Sequence, residues 1–288
     1  MSSITVKAFA KINLHLDVTS IMDNGFHAVN NVMQSVTLCD DVTLTKRNDT
    51  SITVDCNVDG VPKNEKNLAY RAAALFCEKA GVSIGADIYI EKRIPMAAGL
   101  AGGSADAAAT LKGMNFLCGE PLSTNELCSI GSELGSDIPF CIVGGAAFAD
   151  GKGDILHDFP SMPDCAIVIA CGGEGVSTPM AYRMLDEKYD RFSSYIPSDL
   201  SALRRAAELK DITLISKSTF NIFEEPVLSV RPVAASIKQT MLDSGAICAM
   251  MSGSGPSVFG IFDSTESAEK AARTIAKMGV APHVCRPL

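Results

Sequence analysis

Polar and apolar side chains alternate from Lys11 to Val18. Ile12, Leu14, Leu16 and Val18 share one face of a strand, and Lys11, Asn13, His15 and Asp17 share the other. Residues 4–10 read as a strand of mixed alternation leading into it. Such a polar face is either solvated or lines a polar cleft, and the solvated arrangement is the commoner. Asp23-Asn24-Gly25 marks a tight turn, and further strands are predicted over 35–38, 41–45, 51–54 and 86–91. Leu68, Ala72, Leu75 and Phe76 have helical spacing, which predicts a helix from Asn67 to Lys79, stopped by Gly81. Ser123 and Glu126 form a capping box for a helix reaching Leu134. Pro139 disfavours helix at Ile138, which puts Asp137 at the head of the segment 138–143.

An apolar strand at 166–170 opens what reads as a second domain, 159–288, following a first over 1–158. Ser177-Thr178-Pro179 starts a helix with proline at its first position. Helices over 200–209, 226–244 (broken by Pro232) and 265–277 follow, with strands at 257–262 and 280–285. Strands and helices mix without a repeat, so the pattern favours an α+β fold.

The densest glycine cluster that feeds a helix runs Pro95, Met96, Ala97, Ala98, Gly99, Leu100, Ala101, Gly102, Gly103, Ser104, Ala105. Ser104 reads as the N-cap of that helix, and Asp106 as an acid in its first turn. A glycine loop feeding a helix start presents backbone N–H groups to phosphate oxygens. The same composition also suits a flexible surface loop. Neither a Walker sequence nor a G-x-G-x-x-G fingerprint is present.

Bulk properties narrow the function. The 288-residue chain carries a net charge of −8 without a basic run, which excludes nucleic acid as its main partner. Its ten cysteines include no C-x-x-C and no zinc-like spacing with histidine, which suits a reduced, cytoplasmic protein without a structural metal. No signal peptide is expected at the N-terminus. The longest uncharged stretch, 244–262, has nine Gly, Ser or Pro residues, so no membrane span is expected.

Four pieces then combine: Ala8-Phe9-Ala10-Lys11-Ile12-Asn13-Leu14, residues 95–109, Leu134-Gly135-Ser136-Asp137-Ile138-Pro139-Phe140, and Met251-Ser252-Gly253-Ser254-Gly255. Their order and spacing resemble the GHMP kinase superfamily, whose loop reads P-x-x-x-G-L-x-x-G-S-S. Asp23-Asn24-Gly25-Phe26-His27 is similar to a D-G-Y-H segment of the branch that acts on a cytidyl-diphospho-methylerythritol. The segments Gly144-Gly145-Ala146-Ala147-Phe148 and Gly151-Lys152-Gly153-Asp154 also follow that branch. Three positions depart from the pattern: Ala101 for glycine, Ala105 for serine and Phe26 for tyrosine.

The resemblance implies a two-domain α+β kinase, with an N-terminal half like domain 2 of ribosomal protein S5 and a ferredoxin-like C-terminal half. It implies ATP on the 95–105 loop and Mg²⁺ carried mainly by the nucleotide, without a protein metal site. Asp137 corresponds to the family base and Lys11 to its partner. Asn13 and Thr178 correspond to contacts near the diphosphate and the reacting hydroxyl. His27 and Tyr182, with Phe26 as a second ring, correspond to the cytosine readers, and Lys152 lines the base pocket through its main chain. The partners are then two small molecules, ATP and the cytidyl alcohol, with no oligomer implied. Plainer roles stay open: Asp137 as an N-cap, Lys11 as a strand lysine, Tyr182 as helix packing and His27 as a satisfied loop histidine. Homoserine and mevalonate kinases share the superfamily, and Phe26, His27 and Tyr182 are the set they do not need.

Overall fold

The computed structural model describes residues 2–288, and its chain opens with two long paired strands, β1 (Ser3–Ile21) and β2 (His27–Arg47). The turn between them closes through Gly25 N–H to Met22 O at 2.9 Å, with Gly25 at φ +82° as a tight turn requires. The pattern suggested short separate strands, yet β2 runs unbroken for 21 residues. Polar residues interrupt its apolar pattern, and those residues are buried with partners. Asn31 accepts from Asn13, Gln34 donates to the carbonyls of Ser35, Gly145 and Leu288, and Asp40 binds Lys92. The polar face of β1 is likewise buried rather than solvated, with Lys11 4% and Asp17 0% exposed.

The chain forms two compact units, and both long strands pass from one into the other. The first unit takes the residues up to Ala10, Cys39–Met96 and Ala101–Gly144. In it β3 (Ile52–Cys56) lies parallel to β4 (Gly85–Glu91), and β4 is antiparallel to the end of β2, from Asp41↔Glu91 to Arg47↔Gly85. Its helices are α1 (Leu68–Ala80), α2 (Gly102–Leu117), α3 (Thr124–Leu134) and α4 (Ile138–Val143). Asn67 caps α1 rather than opening it, Gly81 ends it in the left-handed conformation, and Ser123 with Glu126 forms the capping box of α3, the last two as expected. Helix α2 approaches β2 at Gly113, where a Cβ would come within 2.4 Å of Leu44 Cδ1.

The second unit takes Lys11–Leu38, Ala97–Leu100 and Gly145–Leu288. Strands β5 (Ala146–Asp150) and β6 (Ile155–Asp158) form an antiparallel pair, with β5 also antiparallel to β2 from Asn31↔Ala149 to Gln34↔Ala146. There follow β7 (Ala166–Cys171), α5 (Thr178–Lys188), α6 (Ser201–Glu208), α7 (Ile212–Lys217), β8 (Phe220–Asn221), α8 (Glu224–Ser229) and α9 (Pro232–Asp243). The chain ends with β9 (Cys248–Met251), β10 (Ser257–Phe262), α10 (Thr265–Ala276) and β11 (Pro282–Cys285). Pro179 stands second in α5, one place later than expected. An antiparallel sheet in the order β11-β7-β10-β9 buries Val168, Val258 and Phe262 with Ile237 and Met241 of α9 and Ile275 of α10. Both inner strands are apolar runs without alternation, as strands deep in a core must be.

Candidate active site

Three alternate alanine and glycine positions set the geometry of the 95–105 loop. Ala97, Gly99 and Ala101 all have positive φ, at +50°, +76° and +58°. Holding an alanine there costs about 1–2 kcal/mol, so the loop keeps a strained backbone even at its departures from glycine. Helix α2 begins at Gly102 with Ala101 as N-cap, and no side chain caps it. Ser104 is therefore not the cap; it is the third residue of the helix, because the left-handed Ala101 turns the chain into the helix earlier. Asp106 is also not in the first turn; it is buried and bound to Lys92. The uncapped start leaves α2 with the N–H donors that an anion would take. Ala98 and Leu100 bury their side chains, so these two offer a ligand only backbone.

Within the second unit, β1 supplies the polar centre. Lys11 Nζ donates to Asn13 Oδ1 at 2.8 Å and to the Gly99 carbonyl at 3.1 Å. Ser252 Oγ donates to the same two oxygens at 3.2 and 3.0 Å, and Asn13 Nδ2 donates to Asn31 Oδ1 at 2.7 Å. The two glycine-serine loops thus meet backbone to backbone: a Cβ on Gly99 would lie 2.1 Å from Ser252 O. Asn221 holds the second loop from below, donating to Met251 O and Gly253 O at 2.7 and 2.9 Å. Ser252 was visible as part of a motif; Asn31 and Asn221 carried no signal in the sequence.

Asp137, in the first unit, occupies the N-cap position of α4 as expected, but its carboxylate makes no capping bond to that helix. A plain N-cap role is therefore not what this side chain performs.

The cytosine-reading candidates fall in the second unit. His27 and Tyr182 face each other with ring centroids 4.4 Å apart at 31°, and Tyr182 meets Phe223 edge-on at 5.0 Å. Asp186 Oδ1 lies 2.7 Å from His27 Nε2. Asp186 follows Tyr182 by one helical turn, a spacing that could have been read from the sequence. Phe26 sits at the turn and is 59% exposed. Lys152 pairs with Asp154 in the turn between β5 and β6, which Val29 N–H ties to β2 through Gly151 O. Thr178 Oγ1 lies 3.5 Å from Ser254 Oγ of the second loop.

Residues 67–145 match the model of the GHMP kinases N-terminal domain, and residues 200–281 match that of the GHMP kinases C-terminal domain. The fold and its loops thus define a small-molecule kinase of the GHMP class. A 4-diphosphocytidyl-2-C-methyl-D-erythritol kinase of Lachnospira eligens is 41% identical over 284 residues, 99% of this chain and 97% of the relative. One of Exiguobacterium sibiricum is 43% identical over 93% of this chain and 92% of its own length. A crystal structure of 4-(cytidine 5'-diphospho)-2C-methyl-D-erythritol kinase superposes with a TM-score of 0.81 at 28% identity, covering 99% of both chains. Homoserine kinase from Cytophaga hutchinsonii, at 23% identity and a TM-score of 0.75, shares the fold. The chain belongs to the 4-diphosphocytidyl-2-C-methyl-D-erythritol kinase family.

Proposed function

We propose that the chain transfers the γ-phosphoryl group of ATP to the 2-hydroxyl of 4-diphosphocytidyl-2-C-methyl-D-erythritol, giving the 2-phosphate and ADP. In this reaction the bond from the γ-phosphorus to the β,γ-bridging oxygen breaks and a new one forms to the alcohol oxygen. Asp137 takes the hydroxyl proton as general base. The Lys11 ammonium offsets negative charge on the transferring group. Phosphoryl transfer otherwise needs positioning, which the 95–105 loop and the amides at the start of α2 supply. Among the described residues, no group of three or more His, Cys, Asp or Glu side chains could hold a metal ion. Mg²⁺ would be carried mainly by the nucleotide, where it would offset phosphate charge. Asn13 and Thr178 serve the diphosphate and the reacting hydroxyl, and Lys152 serves the base through its main chain. An ATP-binding half over 1–158 and a substrate-side half over 159–288 belong to the same proposal.

The observation that carries the choice of substrate is the His27–Tyr182 ring pair beside Asp186, an aromatic and polar set suited to a nucleobase. The test is ADP release from ATP with the cytidyl alcohol, with homoserine and mevalonate as controls. Turnover with the cytidyl alcohol alone supports the proposal; preference for either control overturns it.

A further inference from the structure

We propose that Asp40, Lys92 and Asp106 are positioning residues that fasten both ends of the nucleotide loop to one buried ammonium and so set affinity for ATP. The inference rests on the reading of residues 95–105 as the ATP loop. Lys92 Nζ donates to Asp40 Oδ2 at 2.5 Å and to Asp106 Oδ2 at 2.7 Å. All three side chains are almost fully buried.

Stability does not account for this cluster. Two carboxylates share one ammonium away from water, and Asp106 Oδ1 has no hydrogen-bond partner. Buried ion clusters are poor stabilisers compared with apolar or neutral packing. What the cluster does is geometric. Asp40 Oδ1 accepts from the N–H groups of Arg93 at 2.5 Å and Ile94 at 2.8 Å, immediately before Pro95. Asp106 lies one turn inside α2, immediately after the loop. The Lys92 backbone is fixed in turn, its N–H donating to Asn57 Oδ1 at 2.7 Å. The ammonium sits close under the start of α2: a Cβ on Gly102 would lie 3.0 Å from Lys92 Nζ. Glycine at 102 thus leaves room for the lysine as well as for a ligand.

The test uses the full chain, titrated with MgATP and assayed with the cytidyl alcohol. Lys92→Met should raise the Kd and KM for ATP by about tenfold or more, leaving kcat and the KM for the alcohol within about threefold. Asp106→Asn, which keeps an acceptor for Lys92, should retain ATP affinity within about threefold. The double variant Lys92→Met/Asp106→Asn relieves one of the two uncompensated charges and should regain part of the Tm lost in Lys92→Met while ATP affinity stays weak. Recovery of ATP affinity together with Tm in the double variant would overturn the inference, as would unchanged ATP affinity in Lys92→Met. Wild-type protein that bound no ATP would overturn both this inference and the loop assignment. Wild-type protein that bound ATP without phosphorylating the cytidyl alcohol would overturn the substrate reading alone, and the variants' ATP titrations would still decide the inference.

Discussion

Ser252 Oγ donates to the carbonyl oxygen of Gly99 at 3.0 Å, so the side chain of one glycine-serine loop grips the backbone of the other. The Lys11 ammonium shares that carbonyl, which makes the path of the first loop a condition for the lysine's position. This contact separates two kinds of glycine in the loop. At Gly99 an added methyl would collide with Ser252 O at 2.1 Å and would have to sit at φ +76°. At Gly103 it would meet only Leu68 Cδ1, at an ordinary 3.6 Å. Gly99→Ala should therefore lower Tm markedly along with activity. Gly103→Ala should keep Tm within a few degrees yet weaken ATP binding by about tenfold. Thermal melts beside nucleotide titrations check the pair, and wild-type ATP affinity in Gly103→Ala would remove that residue from the cradle.

Asp137 is spared from capping α4, and the base role proposed for it predicts a rate effect rather than a binding effect. Asp137→Asn should lower kcat by ~10²–10⁴ while ATP affinity persists. Single-turnover kinetics at saturating substrates measure this directly. Near-wild-type turnover would leave positioning and charge to carry catalysis alone.

The cytosine-stacking role proposed for Tyr182 has to be separated from packing, because its ring meets Phe223 edge-on. Tyr182→Ala should cost some Tm through lost packing and weaken the cytidyl alcohol by about ten- to hundredfold, with ATP affinity nearly unchanged. Tyr182→Phe should be almost silent, since stacking needs the ring and not the hydroxyl. Loss of Tm without selective loss of alcohol affinity would assign the residue to packing.

Acid stability should report His15. Ser198 Oγ donates to Asp17 at 2.7 Å and lies 3.1 Å from His15 Nε2, so the imidazole is the donor there. Burial lowers the His15 pKa to about 4 from 6.5, against the opposing pull of Asp17. Between those two values the unfolded chain binds a proton that the folded chain does not. The contribution is thus complete above pH 6.5 and is lost as pH falls toward 4, by about 3 kcal/mol. Urea unfolding at several pH values should show that fall, and His15→Gln should flatten it. A slope of the opposite sign would contradict the assignment.

The elements legible in the chain were those whose causes are local. Asn67 and Gly81 bounded α1, and Ser123 with Glu126 opened α3, because a cap or a glycine turn is decided within a few residues. The motifs carrying Lys11, the 95–105 loop and Asp137 were legible through their joint resemblance to a known family; taken singly, Lys11 read as a strand lysine, Asp137 as an N-cap and the loop equally as a flexible surface turn. Long-range pairing was not legible. Nothing near Asn31 announces that it accepts from Asn13, and nothing near Asp40 announces Lys92, 52 residues on. Those unseen partners made β2 look like broken strands and the polar face of β1 look solvated. They also moved Asp106 from a helix-dipole role to a buried ion cluster. A buried polar group is tolerable only once its partner is in place, and folding brings that partner from a distant part of the chain.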